Sequence, residues 1–201
     1  IISEDDWNAA GDPDSRAEGG VALGISMSDD RSVVYIGFCG KRADGLRHIG
    51  IKERLNGSSG VVAKVNALKQ ERAGRGGVCA VVIGANDPAR SLIPDFIAAG
   101  WEILTPGSAD VAAECGAVYD AIAGQVELGQ DRRAVRDMRH SGQEPLRVAI
   151  AAAAKKTVAN SWVWARADVA AEVAPLYAIT AASYGFRVSP PSTYNPLSNF
   201  W

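Results

Sequence analysis

The sequence predicts an α/β domain: a mixed sheet of three antiparallel strands plus parallel strands, with helices on both faces. Three observations predict it. Three β-rich runs follow one another near the start with only turn residues between them. Helical and strand-like periodicities then alternate along the middle of the chain. Finally, 201 residues that are 47% hydrophobic and 22% charged suffice for one self-supporting core.

Residues 1–19 are polar and turn-rich, ending in GDPDSRAEGG, and read as a lead-in from an upstream region, with Trp7 positioned to dock on the domain. The ordered domain is expected over 20–187. VALGIS (21–26), SVVYIGFC (32–39) and LRHIGIKE (46–53) are the three hairpin-linked strands, separated by SDDR and GKRADG. Residues 58–73 place Val61, Val65 and Leu68 at helical spacing, with a serine cap before them and Gly74 after. VCAVVIG (78–84) is a continuous apolar run suited to a central strand buried on both faces. Asp87 as cap, Pro88 at the first helical position and Gly100 at the stop punctuate a helix over 87–100.

A short strand at 101–104 and an Ala-rich helix from Ser108 to about Gly124 follow. The stretch 125–143 is polar and basic and fits either a strand pair or a broken helix. Composition then predicts a helix over 145–156, an extended segment at 161–166 and a final apolar helix over 171–186, with Pro175 in its first turn. Residues 188–201 form a Pro-rich, extended tail. The order βββαβαβα describes the RNase H-like architecture.

Composition narrows the function. A net charge of −2 does not mark the chain as a nucleic-acid binder, so any DNA contact must come from local basic patches. Three widely spaced cysteines in apolar stretches, no apolar run of membrane length and no signal-peptide pattern point to a reducing, cytosolic setting. The missing initiating Met and the acidic start point to a fragment of a longer chain. No GxxxxGK[ST] loop is present, since GFCGKRAD (37–44) lacks both the spacing and the hydroxyl. With only His48 and His140, a zinc centre or a Ser-His-Asp triad has little material, and both histidines read as structural.

Carboxylates remain. In an RNase H-like sheet, two-metal phosphodiester cleavage draws its acids from the end of the first strand, the end of the central strand and the start of the last helix. Those places offer Asp29 and Asp30, then Asp87, then Asp168 with Glu172. The plainer alternative is that turns and helix N-termini carry acids for solvation and dipole reasons alone. Trp162 and Trp164 share one face of WVW and read as packing against the final helix.

The opening VALGISMSDDRS, the stretch DPARSLIPDFIAAGWEI, the segment AVYDAIAGQ, MRHSGQEPLRVAIAAAAKK and the closing WVWAR and EVAPLYAITAA occur in a characteristic order. Together they resemble the C-terminal nuclease domain of the large terminase subunit of tailed bacteriophages, in particular the type found in phages and prophages of actinobacteria. The resemblance covers nearly the whole chain. It implies an upstream ATPase domain in the same polypeptide, double-stranded DNA as substrate, the portal and small terminase subunit as partners, and the cytoplasm of the bacterial host as the setting. It also implies a divalent-metal endonuclease using Mg²⁺ or Mn²⁺ on three acids.

The sequence departs from that pattern. Laid on a motif like aLgvDvSpDRS, ALGISMSDDRS puts Ser26 where the first Asp belongs, and VVIGANDPARSL puts Gly84 at the second acid. Glu172 keeps the third. A hydroxyl and a glycine cannot replace two anionic oxygen ligands of a hard dication. Two readings follow. In one, the nuclease works with relocated acids, Asp30, Asp87 and Glu172 being catalytic and Asp29 and Asp168 additional metal ligands. In the other, the domain is a degenerate, non-cleaving module that binds DNA or docks within the packaging motor. Lys41, Arg42, Arg132, Arg133, Arg136 and Arg139 are candidate phosphate contacts in both, with a solvated surface as the alternative for each cluster. Without the resemblance, the chain reads as a stand-alone α/β enzyme or structural protein.

Overall fold

The computed structural model describes residues 1–124, 136–166 and 172–191. A six-stranded sheet runs in the order β5-β4-β1-β2-β3-β6. β1 (Val21–Met27), β2 (Val33–Lys41) and β3 (Arg47–Asn56) form the antiparallel meander. β4 (Val78–Val82) joins β1 in parallel and β5 (Ile103–Leu104) joins β4 in parallel, while β6 (Met138–Arg139) adds to the start of β3. This is the RNase H-like mixed sheet expected from the order of elements. Within the undecided stretch 125–143, only residues 136–143 are described, and they contribute β6.

β1 is buried at every position, as the strand with neighbours on both sides and helices on both faces must be. On one face pack α2 (Val61–Arg72), a 3₁₀ turn (Pro88–Leu92) and α3 (Ile93–Ala98), burying Val65, Leu68 and Phe96 against Ile25 and Ile36. The other face carries α1 (Glu4–Ala10), α4 (Ser108–Ala123), α5 (Glu144–Ala152) and α6 (Ala174–Val188). No described helix is long and apolar enough to cross a membrane.

α6 lies directly on the strands. Gly24 on β1 and Gly37 on β2 are lateral neighbours, and a Cβ built on Gly24 would stand 2.0 Å from the Ala178 carbonyl oxygen. One on Gly37 would stand 2.7 Å from the Ala178 carbonyl carbon. Only hydrogen at both positions permits this approach.

The lead-in contains a helix that its turn-rich composition did not suggest. Ser3 Oγ accepts from the Asp6 amide at 3.0 Å, and the acids Glu4, Asp5 and Asp6 occupy the positive end of the helix dipole. Trp7 is 3% exposed and stacks on His140 with ring centroids 3.3 Å apart. The expected helix over 145–156 stops at Ala152, and β7 (Lys155–Val158) pairs instead with β8 (Ser161–Trp164) in a separate hairpin. Strand pairing outweighs helix propensity here: Lys155 Nζ lies 4.7 Å and 4.5 Å from the ring centres of Tyr119 and Trp162.

Candidate functional site

At the C-terminal ends of β1 and β4 the sequence places Ser26 and, just beyond β4, Gly84. The loop after Gly84 turns back so that Asp87 reaches Ser26 despite the displacement of three residues. Ser26 Oγ donates to Asp87 Oδ2 at 2.6 Å, and the Met27 and Ala89 amides donate to Oδ1 at 3.1 Å and 2.9 Å. Asp87 is thereby both the cap of the following 3₁₀ turn and a tie between two strand ends. Its side chain is 5% exposed.

A cation completes this arrangement. Arg166, just after β8, sends Nη2 to Asp87 Oδ2 and, at 2.9 Å, to Ser26 Oγ. Its Nη1 donates to the Met27 carbonyl at 2.9 Å and to Asp29 Oδ1 at 3.3 Å. The guanidinium also lies 4.1 Å from the centre of the Tyr177 ring, whose hydroxyl donates to the Trp164 carbonyl. Burial drives the Tyr177 phenol far above its ordinary range, so it stays a neutral hydroxyl and acts as a donor.

The other expected acids are placed differently. Asp30 Oδ1 accepts from Ser28 Oγ at 2.6 Å, from the Ser32 amide at 2.9 Å and from Ser32 Oγ at 2.7 Å. The Ser28 hydroxyl, followed by the two groups of Ser32, pulls its pKa down to about 2 and commits it to the β1–β2 turn. Asp29 is 55% exposed at its side chain and faces Arg166. Glu172 accepts the Ala174 amide at 2.6 Å, at the start of α6. Asp168 lies outside the described residues.

These donors do not fit a pair of divalent ions. Both oxygens of Asp87 are occupied by hydrogen-bond donors, Ser26 supplies a neutral hydroxyl that is itself donating, and Gly84 supplies nothing. A hard dication requires several anionic oxygens with free lone pairs. Among the described residues, no group of three or more His, Cys, Asp and Glu could hold a metal ion.

The described residues among the expected phosphate contacts lie elsewhere. Lys41 ends β2 and Arg42 follows it; since β2 is antiparallel to β1, they stand at the opposite end of the sheet from Ser26, roughly 20 Å away along the strand. Lys41 is exposed. Arg42 is held by Asp12 at 2.7 Å, Asp44 at 2.9 Å and Ser15 at 2.6 Å. Arg136 pairs with Asp6 at 2.7 Å, and Arg139 donates to the backbone carbonyls of Arg136 and Met138. Arg132 and Arg133 lie outside the described residues.

Both histidines belong to that far end and serve structure. The Arg42 guanidinium donates to Ser15 Oγ, which leaves the serine proton for His48 Nδ1 at 2.7 Å. Burial lowers the His48 pKa to about 4. The Gly142 amide donates to His140 Nδ1, so Nε2 carries the proton and donates to the Trp7 carbonyl at 2.8 Å; burial lowers this pKa too.

A cavity of about 260 Å³ adjoins Asp87 and Arg166. It lies between the strand ends, α4, the β7–β8 hairpin and α6, and its walls include Ile25, Val111, Trp164, Tyr177 and Tyr184. Sequence reasoning missed both the cavity and Arg166. The WVWAR segment carried the arginine in view, but nothing local to it indicates a partner 79 positions away.

No family model and no curated protein matches the chain. Solved structures do match it. The HK97 bacteriophage large terminase superposes with a TM-score of 0.63 at 12% identity over 92% of this chain, which spans 43% of that protein's length. The large terminase nuclease from thermophilic phage G20c matches with a TM-score of 0.55 at 13% identity, covering 83% of this chain and 84% of that one. The same nuclease with bound magnesium matches with a TM-score of 0.55 at 11% identity, covering 85% and 83%. At such identities the likeness is one of architecture, and the chain has the fold of the phage large-terminase nuclease domains.

Proposed function

We propose that this chain is the nuclease-fold domain of a phage DNA-packaging motor and that it engages double-stranded DNA without cutting it. One observation carries the reading: the Arg166 guanidinium sits between the ends of β1 and β4, bonded to Ser26, Asp87 and Asp29, where cleavage would need anionic ligands for divalent ions. The fold supports a terminase context; the partners that the sequence resemblance implies, an ATPase domain in the same polypeptide, the portal and the small terminase subunit, in the host cytoplasm, are proposed with it. Lys41, Arg132 and Arg133 are proposed phosphate contacts.

The return of Asp87 to Ser26 favours a second reading, in which Asp87 serves with Asp30 and Glu172 in Mg²⁺- or Mn²⁺-dependent cleavage. Supercoiled plasmid incubated with either ion separates the two. The expected result is intact plasmid together with salt-dependent retardation of duplex DNA. Nicking that disappears in the Asp30→Asn/Asp87→Asn double variant would establish the second reading instead. The absence of both low-salt binding and nicking would remove both readings.

A further inference from the structure

The cavity beside Arg166 has a chemistry of its own. Its charged lining residues are Asp87, Glu114, Lys156 and Arg166. Asp87 is paired with Arg166. Glu114, 1% exposed, accepts from Ser183 Oγ at 2.6 Å and is paired with Arg187 at 2.9 Å. Lys156 is the lining cation left without a carboxylate partner among the described residues, and it is exposed. The lining charges balance, two acids against two cations, but both acids are already paired, so the charge left for a ligand is the Lys156 ammonium, which favours an anionic group at that point.

The walls call for something else. Tyr177 and Tyr184 are both partly exposed, and Val158, 37% exposed, stands among the lining residues as an uncovered apolar side chain. With Trp164 and Val111 they make a surface for a flat, apolar ring rather than for a hydrated ion. A volume of about 260 Å³ is at the small end of ligand clefts and cannot admit a duplex. A planar ring joined to an anion, in a space for one such unit, matches the chemistry of a nucleotide.

We infer that this cavity binds a single nucleotide, its base against Tyr177 and Tyr184 and its phosphate at Lys156. The nucleotide comes either from DNA, as an unpaired residue turned out of the stack, or from solution as a free mononucleotide. The DNA-borne source rests on the duplex-engaging reading above; the free source does not. Base stacking on aromatic side chains tolerates any sequence, in keeping with the absence of a dense hydrogen-bonding wall.

The test compares three fluorescent or isotopic probes on the purified chain: a fully paired duplex, the same duplex with one bulged thymidine, and free dTMP. The bulged duplex is expected to bind about 10-fold more tightly than the paired one, a factor set by stacking less the cost of unstacking. Val111→Trp, which fills the cavity, should abolish that preference while leaving paired-duplex binding unchanged. Lys156→Gln should weaken the preference. Ultraviolet crosslinking from 5-iodouracil at the bulge should map to the Tyr177–Tyr184 peptide. Saturable dTMP binding lost in Val111→Trp, without a bulge preference, assigns the cavity to the free nucleotide. Equal affinity for the two duplexes together with no dTMP binding overturns the inference, even if paired DNA is still held. Failure to bind the paired duplex, with dTMP still bound, overturns the DNA reading alone.

Discussion

Arg166→Met is the most direct perturbation of the strand-end site, because it removes the charge and keeps much of the side-chain volume. Removing one partner of a buried pair costs about 3–5 kcal/mol, since the remaining charge stays buried without its counter-ion. Asp87 is 5% exposed at its side chain but keeps donors from Ser26, Met27 and Ala89, and Arg166 is itself 17% exposed. The loss therefore belongs at the lower end, about 3 kcal/mol, which for a chain of this size lowers Tm by about 6–12 °C. Urea unfolding at neutral pH measures it. A double-mutant cycle with Asp87→Asn isolates the pair, with an expected coupling of about 2 kcal/mol. Arg166→Lys should recover only part of the loss, because an ammonium cannot bond Ser26, Asp87 and the Met27 carbonyl together while lying on Tyr177. A cost below about 1 kcal/mol, or strict additivity with Asp87→Asn, would refute the view that Arg166 is the cation holding these strands.

Other consequences can be measured on the same chain. The His48 pKa is lowered from 6.5 to about 4 in the folded protein, so its contribution is complete above pH 6.5 and is lost as pH falls toward 4. The full loss is about 3 kcal/mol by linkage, so the unfolding free energies from urea at pH 7.5 and pH 4.5 should differ by about 2–3 kcal/mol, and by less in His48→Gln. Gly24→Ala should cost about 3 kcal/mol or prevent folding, because its methyl would meet the α6 backbone, whereas Gly74→Ala, in open space, should be neutral or stabilising by about 0.5 kcal/mol; thermal melts followed by circular dichroism distinguish them. Arg42→Ala should lower stability by about 1–2 kcal/mol, because it frees the lead-in at Asp12 and Ser15, with little change in duplex affinity by retardation assay.

What could be read in advance follows from the range of the interactions. The meander, β4 and the Asp87-Pro88 start are written in local patterns, alternation, apolar runs and caps, and they stand where those patterns put them. α1 is also written locally, in Ser3 followed by three acids, but the turn-forming residues after it mask that signal. The β7–β8 hairpin was obscured because an Ala-rich run passes into Lys155 and Lys156, good helix formers whose strand state is fixed by pairing with residues 161–164. At the site, the loss of acids at Ser26 and Gly84 was visible in the sequence. The cation facing them was not, because Arg166 meets Asp87 only once the sheet, α6 and the hairpin have assembled.

The two glycines beneath α6 have a mechanical consequence. With no side chain between the Ala178 backbone and the strands, that helix and the centre of the sheet behave as one plank, which transmits load without slack. Tyr177 and Tyr184 on the helix and Ile25 on the strand are thus fixed relative to each other. Any widening of the hollow they share must be supplied by its opposite shore, Val111 and the Lys156–Val163 ribbon, so that is where labels placed to watch an occupant arrive should go.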